Sequence, residues 1–144
     1  MAIVPRVNVI TLGVSDVSLS TKFYESLGWV RSSVSEENIT FIQLGAIVLG
    51  LYEYSMLAQD ATIPPGDRQV FPSFTVAINA DSRQEVDEII EQAREAGAEI
   101  VKEPQEVFWG GYSSYFADPD GFLWEVAHNP FFEKDQQGYV SLPH

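Results

Sequence analysis

The sequence predicts an α+β protein built of two βαβββ modules forming an open curved sheet around a central cavity. Two observations carry this. The same order of strand-like and helix-like segments runs through the chain twice. Its punctuation also falls at corresponding places: Val9 and Phe74 each stand seven residues before an aspartate, Asp16 and Asp81, and Gly28 and Gly97 each close a helix. One module alone would leave the apolar face of its sheet exposed, so the two are expected to pair. Residues 1–130 are read as a single domain, with module one over 6–55, a connector over 56–70, module two over 71–130 and a tail over 131–144.

In module one, RVNVITLGV (6–14) is rich in β-branched residues and reads as a strand. Asp16 opens a helix whose Leu19, Phe23 and Leu27 form an apolar stripe, and Gly28 ends it. Three short strands follow, Trp29–Ser33, Ile39–Leu44 and Ile47–Tyr52, with turns at Glu36-Glu37-Asn38 and at Gly45. Pro64, Pro65 and Gly66 mark the connector.

Module two begins with a strand over Pro72–Asn79. Ser82 and Glu85 form a capping box, and Val86, Ile89, Ile90 and Ala93 make the buried stripe of the helix that follows. Strands are then expected over Glu99–Lys102, Gly111–Ala117 and Leu123–His128. Between the last two, Asp118-Pro119-Asp120-Gly121 spells a tight turn; it lacks the alternating acids of a calcium loop. Glu85, Asp87, Glu88, Glu91 and Glu95 read as the solvated face of the helix.

Composition narrows the function classes. Twenty-one Asp and Glu against eight Lys and Arg give a formal charge of −13, which repels nucleic acid and anionic membrane surfaces. Cysteine is absent, so disulfides, thiolate metal sites and a cysteine nucleophile are excluded. The opening MAIVPRVNVITLG does not read as a secretory signal, and no apolar run reaches the ~20 residues of a membrane span. A cytoplasmic location is the expectation. Histidine occurs only at His128 and His144.

VITLGVSDVSLSTKFYESLGW resembles the first strand and helix of the vicinal oxygen chelate module, and GGYSSYFADPDGFLWEVAHNP resembles its closing hairpin and last strand. That superfamily contains glyoxalase I, bleomycin-resistance proteins and extradiol dioxygenases. The resemblance covers about residues 6–130 and implies paired βαβββ modules, a homodimer and, in metal-dependent members, one divalent ion in the cavity. It places the ligand positions of such an ion at Val9, Leu49, Phe74 and Glu125. Three of these are hydrocarbon, and a lone carboxylate does not offset the dehydration of a divalent ion. The nearest oxygen donors, Asn8, Thr11, Ser73 and Thr75, are weak ligands, and His128 stands three residues past Glu125, on the opposite face of its strand.

Glu125 is the candidate catalytic residue, as an acid/base or as the anchor of a cationic or hydroxylated ligand. Its alternative role is that of a structural carboxylate held by neighbouring donors. Trp109, in a glycine-flanked loop, and Tyr112, with its hydroxyl, are binding candidates beside a plain core-filling role, and Tyr52 is a similar candidate at the rim. The expected function is metal-independent binding of a small apolar or aromatic molecule with a polar handle, in a cavity lined by Val9, Leu49, Tyr52, Phe74, Trp109, Tyr112 and Glu125. No cofactor is expected, and the protein's charge disfavours an anionic ligand. The alternative is a metal-dependent glyoxalase-like lyase or isomerase, or a dioxygenase.

Overall fold

The computed structural model describes residues 3–67 and 71–143, which divide into two compact units, Met1–Gln69 and Val70–His144. Among the described residues no helix is long and apolar enough to cross a membrane.

The first unit contains β1 (Val9–Val14), α1 (Val17–Ser26), β2 (Ile39–Leu44), β3 (Ile47–Glu53) and α2 (Tyr54–Asp60), with its sheet in the order β1-β3-β2. β1 runs parallel to β3 and β2 antiparallel to it. Asp16 caps α1 by accepting from the Leu19 backbone N–H at 3.0 Å. Ile10, Leu12 and Val14 pair with Leu49, Leu51 and Glu53, and the leucines of this row are buried against the α1 side.

The face that α1 buries differs from the expected stripe. Ser20, Thr21, Phe23 and Tyr24 are buried, while Leu19 is exposed. The helix is turned by a bond between the Thr21 and Thr40 hydroxyls (2.8 Å) and by the stack of Tyr24 on Trp29, 5.5 Å between ring centres.

Two further expectations are corrected here. Trp29–Ser33 forms only an isolated bridge between Arg31 and Ile42. The Ser35 hydroxyl accepts from the Phe41 backbone N–H at 2.9 Å, taking a donor that a fourth strand would otherwise pair. The connector starts with a helix, α2, capped by the Glu53 carboxylate accepting from the Met56 N–H at 2.9 Å.

The second unit contains β4 (Thr75–Asn79), α3 (Arg83–Glu95), β5 (Glu99–Glu106), β6 (Tyr112–Ala117) and β7 (Leu123–His128), followed by a short hairpin of β8 (Glu133–Lys134) and β9 (Val140–Ser141). Its main sheet has the order β4-β7-β6-β5. The Ser82 hydroxyl accepts from the Glu85 N–H at 3.1 Å, and the Glu85 carboxylate reaches back to the Asp81 N–H at 3.2 Å. Val86, Ile90 and Ala93 of α3 are buried, as are Phe116, Trp124 and Val126 of the sheet. Phe116 and Trp124 stack with centres 6.2 Å apart, worth about 0.5–1.5 kcal/mol beyond their burial. At the Asp118–Gly121 turn, the Asp118 carboxylate accepts from the N–H groups of Asp120 and Phe122, each at 2.9 Å.

β5 is longer than expected and irregular. Its register shifts between Ile100 and Lys102 and again between Lys102 and Gln105. It is an edge strand, which tolerates Pro104 and the extra residues.

Candidate functional site

In the second unit, alternation along the strands sends Trp124, Val126 and Phe116 toward α3 and leaves Glu125, Tyr115 and Ser113 on the other face. Cross-strand pairing then lines up one row: Lys102 opposite Tyr115, Tyr115 opposite Glu125, and Glu125 opposite Ala77. The bulge at Val101 makes this row. Ile100 pairs with helix-facing Phe116, and one surplus residue later Lys102 meets Tyr115.

Glu125 is half-buried, and its Oε2 accepts a hydrogen bond from the Ser113 hydroxyl at 2.8 Å. Burial, and then the Glu125 carboxylate beside it, pushes the Tyr115 phenol above its usual range, so its hydroxyl stays a donor at neutral pH. The Lys102 ammonium lies over the Tyr115 ring, 5.8 Å from its centre. Neither Ser113 nor Lys102 stands out by motif. Projecting the serines of YSSYF onto the strand's two faces would have found the first, and no residue signals the bulge at Val101 that delivers the second; Pro104 marks only the irregularity after it.

Trp109 belongs with this face. A Cβ placed on Gly111 would fall 1.7 Å from the Trp109 indole, so the ring fills the position of the missing side chain. Extending the alternation of β6 by one residue puts that position on the Ser113 side. Phe131, from the tail, comes within 3.1 Å of a Cβ placed on Gly110 in the same loop.

Tyr112 lies elsewhere. Its hydroxyl donates to the Asp87 carboxylate of α3 at 2.8 Å, and the Arg83 guanidinium sits 5.2 Å above its ring. Pairing with His128 gives it the helix-facing parity of Phe116. The bond to Asp87, with burial and the charge of Asp87 behind it, raises the phenol's pKa. His128 also points to the helix side, its Nδ1 at 3.1 Å from the Ala80 carbonyl. His144 lies outside the described residues.

In the first unit Val9 is 47% exposed, and Tyr52 is half-buried opposite Gly13, on the face away from α1. Leu49 is 1% exposed, on the α1 side of the sheet with Ile10. Its placement in a cavity-facing row is therefore corrected. The caps show why the spacing misled. Asp16 caps α1, but Ser82, not Asp81, caps α3. Counting from the true caps matches Val9 with Thr75 and Thr11 with Ala77, and their parallel partners then match Gly50 with Glu125. Phe74 stands just before β4, 40% exposed, one residue short of the matching position. A Cβ on Gly50 would meet the Thr11 hydroxyl at 3.0 Å, so the counterpart of Glu125 is a close-packed glycine.

The model of the Glyoxalase/Bleomycin resistance protein/Dioxygenase superfamily matches residues 6–126. The chain belongs to that superfamily. A glyoxalase-related enzyme from Fulvimarina pelagi is similar over 98% of this chain and 100% of that one, with 30% identity and a TM-score of 0.85. A glyoxalase/bleomycin resistance protein/dioxygenase from Nocardioides shares the fold at 24% identity, covering 89% of this chain and 85% of that one (TM-score 0.74). Lactoylglutathione lyase from Agrobacterium tumefaciens does so at 19% identity, covering 87% of this chain and 94% of that one (TM-score 0.68).

The donor set does not suit the divalent ion of the superfamily's metal-dependent members. At the matched positions Val9, Gly50, Thr75 and Glu125, only the last offers a strong ligand. Among the described residues, no three of His, Asp and Glu are grouped to hold a metal ion.

Proposed function

We propose that this member of the glyoxalase/bleomycin resistance superfamily binds a small aromatic or apolar molecule without a metal ion. Glu125 would hold the molecule's polar handle. The observation that carries the reading is a half-buried carboxylate steadied by Ser113 at 2.8 Å, with Tyr115 beside it and no second strong ligand on its own face of β7 or on β4. Such a group offers one acceptor oxygen to a ligand while Ser113 fixes the other. Trp109 supplies apolar contact in this reading, and Leu49 and Tyr112 serve the helix-facing layers of their own units. We further propose that the protein works as a cytoplasmic homodimer.

Benzyl alcohol, titrated against the untagged protein and followed by NMR, tests the reading. Shifts are expected at Ser113, Tyr115 and Glu125. Glu125→Gln should weaken binding roughly tenfold, the size of one hydrogen bond to a charged group. Zinc and nickel added back should remain substoichiometric after dialysis. One equivalent of retained metal, lost in Glu125→Gln, would instead establish the metal-dependent lyase, isomerase or dioxygenase that the likeness to a glyoxalase-related enzyme suggests.

A further inference from the structure

We infer that the molecule held on this face is dipolar: a planar middle with an anionic group at one end and an ammonium or other proton donor at the other. The inference rests on the Glu125 reading and adds Lys102 to it. Among the described residues of the second unit, Arg83, Arg94 and Lys134 each pair with a carboxylate. Lys102 is the one cation there that pairs with none. Its partner is the Tyr115 ring.

The bulge at Val101 turns Lys102 to the Tyr115 side of the sheet, and the ring of Tyr115 holds its ammonium there. Lys102 and Glu125 flank Tyr115 on adjacent strands, so their backbones stand roughly 10 Å apart, two strand spacings. A ring lying along Tyr115 would direct one substituent to each charge.

The overall negative charge does not forbid the anionic end. Salt screens exposed charges beyond about 8 Å at physiological ionic strength, whereas Lys102 acts in direct contact. The selectivity is therefore for charge separation, which neither a simple anion nor a simple cation supplies.

Four probes separate the possibilities in calorimetric or NMR titrations: 4-(aminomethyl)benzoate, benzylamine, benzoate and benzyl alcohol. The dipolar probe should bind about tenfold tighter than either singly charged one. Lys102→Met should remove the advantage of the dipolar probe over benzylamine and leave benzylamine unchanged, and Lys102→Arg should restore it. Glu125→Gln should do the converse, bringing the dipolar probe down to the level of benzoate. If the dipolar probe binds no better than benzyl alcohol, the inference fails while the broader reading stands. If Lys102→Met lowers the melting temperature and alters no affinity, Lys102 merely braces Tyr115, and the inference fails again. If benzyl alcohol does not bind either, both fall.

Discussion

Trp109 lies where a side chain at position 111 would have to begin, so the loop between β5 and β6 accepts its indole only because residue 111 is glycine. Gly111→Ala should therefore expel the ring. The expected signs are a red shift in tryptophan emission that is absent when Trp109→Phe is the background, and weaker binding of aromatic probes. Stability should fall by no more than about 1 kcal/mol, since the loop contributes little core. An unchanged spectrum would show that the indole does not rest on Gly111 in solution. Single residues such as this are the least readable from the chain. Both the Trp109 loop and Glu125 drew attention through their chemistry, but which face a side chain takes depends on parity. Parity is lost with an error of one residue, as happened at Leu49 through Gly50 and at Phe74 through Thr75.

The β8–β9 hairpin is tied to the second unit through Lys134. The ammonium donates to the Asn79 carbonyl at the end of β4 and pairs with the Asp81 carboxylate at 2.7 Å. Together with His128 and Phe132 these groups border a cavity of about 190 Å³. The hydrogen bond from Lys134, and then its charge, hold the Asp81 carboxyl below the usual carboxylate range. A lowered acid contributes above its ordinary pKa, and the contribution disappears as pH falls through the lowered value. Amide exchange over residues 131–143, corrected for its intrinsic pH dependence, should thus be slow at neutral pH and accelerate only in acid. Lys134→Met should show the fast exchange already at pH 7; slow exchange in that variant would mean that the hairpin stands without the tie. Elements bounded by caps and turns were well foreseen. Ile39–Leu44 and Leu123–His128 match to the residue, and Ser82 caps α3 as expected. Where side chains compete for backbone donors the reading failed. Ser35 displaced a strand, and Glu53 started a helix in what reads as a linker.

Both units repeat one plan, yet their corresponding positions carry different chemistry, Gly50 in one and Glu125 in the other. The repeat was visible because helix caps and terminal glycines recur. Its register was not, because the caps are different residues, Asp16 and Ser82. The proposed homodimer must bring together two copies each carrying −13, so added salt favours it. Sedimentation at micromolar concentration and about 0.15 M salt should give twice the 16.1 kDa of one chain, shifting toward the monomer as salt is withdrawn. A monomer at both salt levels would sink the proposal. The irregular edge strand β5 has a different consequence. In a regular strand, deleting one residue exchanges the two faces, so such deletions are purged. β5 already carries one surplus residue on each side of Lys102. Losing Val101, or one of Glu103 and Pro104, would straighten the ladder and leave Lys102 opposite Tyr115 and Gln105 opposite Ser113. A relative lacking one of these residues would therefore differ only in the length of its edge strand and would keep the charge facing Tyr115.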